Sequence, residues 1–151
     1  MKSKKTIKYI DLFAGLGGIR LGFKQAFEDA GFETNCVLTA EIKTAAVKAL
    51  TTNFGMRTIQ GDVTTIDSSE IPDFDFLLAG FPCQAFSVAG KQRGFLDTRG
   101  TLFFEVERIL REKSPYGFIL ENVEGLVTHD REKPHDKIGR TLSTILYKLE
   151  T

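Results

Sequence analysis

The sequence has few of the residues that build disulfide frameworks and metal centres. Its 151 residues include two cysteines, Cys36 and Cys83, two histidines and no tryptophan. Two cysteines cannot form the framework of a small secreted domain, and neither belongs to a C-x-x-C or His/Cys cluster of the kind that binds zinc. We therefore expect no metal site, and we expect the protein to work in a reducing cytosol.

Long apolar runs and an excess of charge are also missing. No run approaches the ~18–20 apolar residues that a membrane span needs, and no signal peptide is recognisable. Twenty Lys and Arg balance twenty Asp and Glu, which excludes a generally basic nucleic-acid binder but allows a local basic patch. We interpret residues 1–6 as a solvated basic arm and residues 7–151 as one domain, because domains typically have ~100–200 residues.

Apolar runs alternate with segments of helical periodicity along the chain. This order predicts an α/β fold with a mostly parallel sheet. The predicted strands are residues 7–13, 36–40, 57–60, 74–79 and 116–120. The predicted helices are residues 19–30, 46–54, 101–113 and 138–149. Chemically distinctive residues follow several of the strands, where open α/β sheets bind their ligands.

A glycine-rich turn follows the first predicted strand. Gly15, Gly17 and Gly18 let a ligand approach the backbone closely, where the next helix presents free N–H groups. Arg20 occupies the last glycine position of the dinucleotide fingerprint G-x-G-x-x-G, so the turn departs from that fingerprint.

Two acids after the next two strands favour a nucleoside ligand. Glu41 can accept hydrogen bonds from ribose hydroxyls, and Asp62 can accept one from an adenine amine. Asp11, just before the turn, suits a cofactor with an ammonium group better than a pyrophosphate. These features predict S-adenosylmethionine rather than NAD. The alternative is that the glycines only form a tight turn and that Glu41 is a surface acid.

Cys83 is the candidate nucleophile. It follows Gly80 and Pro82 after a buried strand, and it precedes an aperiodic, glycine-rich stretch, residues 85–100, of the length found in functional lids. A thiol with a pKa of about 8.5 is only slightly ionised at neutral pH, so it needs activation. The alternative is that Cys83 is a small buried hydrophobic residue, which is how we interpret Cys36.

Glu121 ends another apolar strand. If it faces Cys83, burial would favour its protonated form and let it donate a proton. Its alternative role is in a buried or peripheral ion pair. His129 and His135 lie in a polar connector, and we interpret both as solvated.

Four segments together resemble the ordered motifs of DNA cytosine-5 methyltransferases. They are Asp11-Leu-Phe-Ala-Gly-Leu-Gly-Gly18, Gly80-Phe-Pro-Cys-Gln84, the stretch from Gly90 to Phe104, and Glu121-Asn-Val123. The similarity covers nearly all of residues 7–150 and is greatest to bacterial restriction–modification enzymes. It implies the Rossmann-like sheet of S-adenosylmethionine-dependent methyltransferases, and it implies a protein of the bacterial cytoplasm.

The resemblance also implies a cofactor site. The residues that it places there are Phe13, Gly15, Gly17, Gly18, Glu41, Ile42, Asp62, Val63 and Pro82. Glu41 would contact the ribose and Asp62 the adenine. Ile42 stands where family members often have a tryptophan, so stacking on the adenine should be weaker. The product of the reaction would be S-adenosylhomocysteine.

The catalytic roles implied by the resemblance fall on Cys83 and Glu121. Cys83 would attack C6 of a cytosine flipped out of duplex DNA, and Glu121 would hold or protonate N3. C5 then becomes nucleophilic enough to take the methyl group, and loss of the C5 proton releases the thiol. The residues expected to contact DNA or the substrate are Gln84, Ser87, Lys91, Arg93, Arg99 and Val123.

The family pattern predicts further elements after the last helix: more strands, an arginine-bearing motif, a target-recognition domain and a C-terminal helix. About five of seven strands are present, so the last strand should form an exposed edge. The chain is then either a truncated form or the N-terminal half of a split enzyme with a complementary C-terminal subunit. Alone, it should bind S-adenosylmethionine weakly and methylate no DNA.

Three other functions remain open from the sequence. A tRNA-directed cytosine-5 methyltransferase would use the same chemistry. A catalytically silent S-adenosylmethionine-binding or scaffold subunit would keep the fold without turnover. An NAD-dependent oxidoreductase is the least favoured, because the fingerprint is wrong and no acid/base pair for hydride transfer is evident.

Overall fold

The computed structural model describes residues 5–55, 59–82, 101–131, 133 and 135–150. The chain forms two compact units. The first consists of Met1–Gly80 and Ile109–Leu120, and the second of Phe81–Arg108 and Glu121–Thr151.

A parallel sheet is the centre of the first unit. Its strands are β1 (Thr6–Leu12), β2 (Glu33–Ala40), β3 (Phe76–Ala79) and β4 (Gly117–Leu120). All pairings are parallel, in the order β2-β1-β3-β4. The predicted fold class is confirmed.

The predicted strand at residues 57–60 differs from the expectation. Among the described residues it is reduced to one parallel bridge between Ala40 and Gln60, and residues 56–58 lie outside the described residues. The bridge is held by Gln60 N–H donating to the Thr39 carbonyl at 2.8 Å, and by Glu41 N–H donating to the Gln60 carbonyl at 2.9 Å. The bridge is parallel, in keeping with the predicted mostly parallel sheet, and its partner is the last residue of β2.

Two helices and part of a third belong to this unit: α1 (Gly18–Asp29), α2 (Thr44–Phe54) and α3 (Thr101–Lys113), which begins in the second unit and ends in the first. The apolar stripe of α1 packs on the sheet. Phe23 lies 4.9 Å from Tyr9, 4.5 Å from Phe27 and 5.4 Å from Phe76, between ring centroids. Aromatic burial of this kind fixes the helix on the sheet.

The carboxyl ends of the four strands form one row. Leu12 pairs with Ala40 on one side and with Ala79 on the other, and Ala79 pairs with Leu120. The order of the strands reverses between β1 and β3, which makes that position the topological switch point where open α/β sheets bind ligands. The glycine-rich turn leaves the sheet from β1, beside this point.

Strand β4 is the last strand of the described sheet. Phe118 and Ile119 remain 44% and 43% exposed, on opposite faces of the strand. This agrees with the expected exposed edge.

The second unit contains α4 (Gly125–Thr128) and α5 (Arg140–Glu150). Thr141 and Ile145 are the buried residues of α5. His129 is half-buried, and its Nδ1 lies 2.9 Å from the Thr141 hydroxyl, so the solvated interpretation of His129 was wrong. His135 is exposed, as expected. No helix in the described part of the chain has the length and apolar character of a membrane span.

Candidate functional site

The glycine-rich turn between β1 and α1 is tightly folded. Phe13, Gly15 and Gly17 all have positive φ, at 54°, 54° and 85°. Ala14 N–H donates to the Ala40 carbonyl at 3.1 Å, and Gly17 N–H donates to the Ala14 carbonyl at 2.8 Å. A left-handed non-glycine residue costs about 1–3 kcal/mol unless its surroundings hold it, so the Phe13 conformation depends on these bonds.

The two glycines at the start of α1 differ in their surroundings. A Cβ atom on Gly17 would lie 2.4 Å from Cε2 of Phe54, whereas a Cβ atom on Gly18 would meet no atom within 4 Å. Gly17 is therefore required by the fold itself. Gly18 is not, and it lies at the N-terminus of the helix, where backbone N–H groups are free to bind a ligand.

Glu41 connects the turn to the end of β2. Its Oε2 accepts the Gly15 N–H at 2.8 Å, and its Oε1 accepts the Lys43 N–H at 2.7 Å. The residue is 8% exposed, so the alternative of a surface acid is wrong. Each carboxylate oxygen has a second lone pair, which leaves acceptor capacity for the hydroxyl groups of a ligand.

The other predicted cofactor residues of this unit divide into exposed and buried ones. Ile42 is 70% exposed, and Val63 is 2% exposed. Asp62 is exposed and caps a short 3₁₀ turn, Val63–Thr65, by accepting the Thr64 N–H at 2.9 Å. The Val63 side chain is thus part of the core, while Ile42 and Asp62 have accessible side chains.

Asp11 is not oriented as its sequence position suggested. The residue is 1% exposed, and its Oδ2 accepts a hydrogen bond from Nε of Arg20 at 3.0 Å. An ion pair with Arg20 therefore replaces the expected proximity to a ligand ammonium group. The expected preference of Asp11 for a ligand ammonium group was therefore wrong, and Glu41 and the turn are unaffected.

Arg20 contacts both strands that lead to the site. In addition to Asp11 on β1, its Nη2 donates to the Thr39 hydroxyl and, at 3.0 Å, to the Cys36 sulfur, both on β2. Its guanidinium lies 5.2 Å from the centroid of the Phe54 ring, at the end of α2. One guanidinium group, carried by α1, thus contacts β1, β2 and the end of α2.

Burial controls the ionisation of the groups around Arg20. Burial raises the pKa of the Asp11 carboxyl from 3.8 to about 6, although the adjacent guanidinium acts in the opposite direction. Burial also raises the pKa of the Cys36 thiol and of the Tyr9 hydroxyl. Cys36 is therefore not an activated nucleophile, in agreement with its interpretation as a core residue.

In the second unit, one amide side chain joins two of the sequence motifs. Asn122 donates from Nδ2 to the Phe81 carbonyl at 2.9 Å, and its Oδ1 accepts the Val123 N–H at 2.9 Å. Phe81 is buried beside Phe103, with 5.7 Å between ring centroids. The segment that leads into Cys83 is thus anchored to the residue next to Glu121.

The candidate residues around this anchor have accessible side chains. Glu121 is exposed, Val123 is 58% exposed, and Pro82 is half-buried. Burial of Glu121 was expected only if it faces Cys83, which lies outside the described residues, and Glu121 itself is not buried. The remaining candidates, which are Cys83, Gln84, Ser87, Lys91, Arg93 and Arg99, lie outside the described residues.

Sequence reasoning missed the structural roles of Arg20 and Asn122. A signal existed for Arg20: an acid inside the apolar run of β1 and a base beside the apolar stripe of α1 predict a buried ion pair once both elements pack together. No comparable signal identified Asn122, because its two partners are backbone groups.

Comparison with known proteins gives a consistent result. The profile of the C-5 cytosine-specific DNA methylase family matches residues 7–151. Type II methyltransferase M.NlaIV of Neisseria lactamica is 62% identical over 146 residues, which are 97% of this chain and 34% of that protein. Type II methyltransferase M.HgiCI of Herpetosiphon aurantiacus is 59% identical over 143 residues, 95% of this chain and 32% of that protein.

A solved structure has the same fold. The crystal structure of the S. pombe Dnmt2 methyltransferase superposes on this chain with a TM-score of 0.68 and 19% sequence identity. The match covers 95% of this chain and 41% of the Dnmt2 chain. The chain thus spans about a third of the length of the curated relatives it matches.

Proposed function

We propose that this chain, because it belongs to the C-5 cytosine-specific DNA methylase family, supplies the cofactor-binding and catalytic part of a DNA cytosine-5 methyltransferase. The reaction would transfer a methyl group to C5 of a cytosine flipped out of duplex DNA, in the cytoplasm. The partner would be DNA, together with polypeptide equivalent to the remaining two thirds of the relatives.

The single observation that carries the proposal is the hydrogen bond between the Gly15 N–H and the Glu41 carboxylate, at the carboxyl ends of β1 and β2 and beside the switch point of a parallel sheet. This pair places a carboxylate with free acceptor capacity beside a glycine-rich turn and a helix N-terminus. Such an arrangement suits a nucleoside that carries ribose hydroxyls and a polar tail.

The residues present fit S-adenosylmethionine, which supplies a methyl group on a sulfonium when it is bound. Glu41 would accept the ribose hydroxyls, and Asp62 would accept the adenine amine with the carboxylate oxygen that does not cap the 3₁₀ turn. Ile42 offers an exposed apolar surface to the adenine. Phe13, Gly15, Gly17 and Gly18 would enclose the tail of the molecule through their backbone.

The catalytic residues would act on the cytosine. The Cys83 thiolate would form a bond to C6, and Glu121 would hold N3 and supply its proton, so that electron density moves to C5. Once C5 carries the methyl group, transfer of the C5 proton to water would expel the Cys83 thiolate, and return of the N3 proton to Glu121 would restore the ring. Covalent addition divides one difficult step into two easier ones.

The exposure of Glu121 indicates what the rest of the enzyme must contribute. A general acid in a low-dielectric site is far more effective than an exposed one. We therefore propose that DNA and the additional polypeptide cover Glu121, and that the isolated chain binds the cofactor weakly and methylates no DNA.

The test uses this chain completed with the polypeptide that supplies the rest of the relatives' length. Incubation with S-adenosylmethionine and a duplex containing 5-fluorocytosine should give a denaturation-resistant protein–DNA adduct, because fluorine cannot leave as the C5 proton does. Cys83→Ser should give none, while Cys36→Ser, the matched control, should give the full amount.

Three results would contradict the proposal. An adduct with Cys83→Ser would show that the nucleophile is wrong, and the absence of both adduct and methylation would favour the silent subunit. Incorporation of a labelled methyl group into DNA by the isolated chain would refute its expected inactivity.

A further inference from the structure

The ion pair of Arg20 and Asp11 encloses the turn that carries the proposed cofactor site. Asp11 lies two residues before Phe13, and Arg20 lies three residues after Gly17. Between them the chain adopts positive φ three times, at Phe13, Gly15 and Gly17. Glycine adopts positive φ without strain, so Phe13 is the strained residue of the turn, and it keeps this conformation only when its surroundings hold it.

The same guanidinium also reaches the strand end that carries Glu41. Thr39, which accepts from Arg20, lies two residues before Glu41, and the two parallel strands are paired at Asp11 and Thr39. Glu41 in turn binds the Gly15 N–H. Arg20 thus adds side-chain contacts to both strands, next to the backbone bond from Ala14 to Ala40 and the bond from Gly15 to Glu41 that hold the turn directly.

We infer that Arg20 is a positioning residue for the cofactor, which sets the distance between the glycine-rich turn and the Glu41 carboxylate. This inference rests on the proposed function. Arg20 is 2% exposed, so it acts through its partners rather than by touching the ligand. Only a planar guanidinium can donate to Asp11, Cys36 and Thr39 together, because an ammonium group has no fixed fork of donors.

The inference assigns Arg20 to one end of the ligand. With the ribose at Glu41 and the adenine at Asp62, the turn remains for the amino-acid tail. S-adenosylhomocysteine has that tail, whereas 5′-methylthioadenosine has the adenine, ribose and thioether without it. A loss of turn geometry should therefore weaken the binding of the first ligand more than that of the second.

The experiment measures both dissociation constants on this chain by ligand titration followed by NMR. Arg20→Lys should weaken S-adenosylhomocysteine binding about tenfold, which is the scale of one lost hydrogen bond, and should leave 5′-methylthioadenosine within about twofold. The amide signals of Gly15, Gly17 and Gly18 should shift in the unliganded variant.

A second variant protects the test against simple unfolding. Arg20→Met combined with Asp11→Leu replaces the buried pair by apolar side chains, which often preserves stability. It should unfold close to the wild-type urea midpoint and still show the selective loss of S-adenosylhomocysteine binding.

The matched control is Lys113→Met. Lys113 donates to the Ile71 carbonyl at 2.7 Å near the amino ends of the strands, so its removal should cost stability and leave the ratio of the two dissociation constants unchanged.

The outcomes separate the inference from the proposed function. Equal weakening of both ligands, or an unchanged ratio of the two dissociation constants in the stable double variant, would overturn the role of Arg20 and leave the proposed function intact. A wild-type chain that bound neither ligand would overturn the proposed function and the inference with it.

Discussion

Glu41 and Glu121 each follow a parallel strand by one residue, yet their surroundings are opposite. Glu41 is 8% exposed, and both of its oxygens accept backbone N–H groups, whereas Glu121 is exposed. The first unit thus contains everything needed to orient its acid. In the second unit, Asn122, the residue next to Glu121, is held by its bond to the Phe81 carbonyl, but the Glu121 side chain itself is exposed. Under the proposed function, the acid of the cofactor site is therefore oriented within this chain, whereas Glu121 needs additional surface to cover it.

The same substitution at both acids tests this contrast with the largest expected effect. Glu121→Gln should change the free energy of unfolding by less than about 0.5 kcal/mol. In the completed enzyme, it should slow methylation by about 10²–10⁴, the usual contribution of a general acid. Urea unfolding and initial rates of methyl transfer measure the two quantities.

Glu41→Gln should behave in the opposite way. Its amide NH₂ would face the Gly15 or Lys43 N–H, so one backbone donor would lose its acceptor at a cost of about 1–3 kcal/mol in folding stability. Cofactor affinity, measured by titration calorimetry, should fall as well. Equal effects of the two substitutions on stability would remove the distinction between the two regions.

A glycine substitution tests how rigid the first region is. Gly17→Ala introduces a Cβ atom 2.4 Å from Phe54 at a residue with φ of 85°. Left-handed strain and overpacking together should reduce the free energy of unfolding by about 2–4 kcal/mol. Thermal unfolding of the chain measures this loss.

Gly18→Ala is the matched control, because its Cβ atom meets nothing within 4 Å. Alanine is also the better helix former, so stability should be kept or improved by up to about 1 kcal/mol. Cofactor affinity should still fall, since the new methyl group lies on the helix N-terminus. Unchanged affinity for S-adenosylhomocysteine would place the ligand elsewhere.

The smallest expected effect is a dependence of the free energy of unfolding on pH, which arises from Asp11 in the first unit. Burial raises the pKa of Asp11 from 3.8 to about 6. Between these values the folded chain binds more protons at Asp11 than the unfolded chain, so this group should make the free energy of unfolding increase as the pH falls.

The comparison for this effect is Asp11→Asn. Arg20 and Glu41, the charged groups that act on Asp11, are present in both proteins, so the difference between their pH profiles isolates Asp11. Urea midpoints measured across this range should show a weaker rise at low pH in the variant. Parallel profiles would mean that Asp11 does not titrate there.

Helices and strands that are marked by local sequence patterns were predicted well. Bounds that depend on pairing between distant segments were predicted poorly. The predicted helix 101–113 coincides with α3, because a strong apolar period and a glycine at residue 100 mark its start. Strand β2 begins at Glu33 rather than Cys36. Its first three residues pair with Thr6, Ile7 and Lys8 through backbone bonds, which polar side chains do not reveal.

The candidate site shows the same division. The tight turn and the position of Glu41 after β2 were predictable because glycine spacing and an acid after a strand are local patterns, and their role in binding a cofactor stays a prediction. The burial of Val63 and the exposure of Glu121 depend on what surrounds each side chain in three dimensions. A pattern of residue types along the chain contains no direct information on either.

The buried guanidinium has a consequence for how this sequence can change over evolutionary time. Arginine keeps its proton under all ordinary conditions, so replacing Asp11 alone would leave a permanent charge without its counter-ion. Breaking such a pair from one side costs about 3–5 kcal/mol, while replacing both partners is often neutral. A sequence that replaces the two partners one at a time therefore passes through a destabilised single variant. Among relatives, positions 11 and 20 should change together or remain as they are.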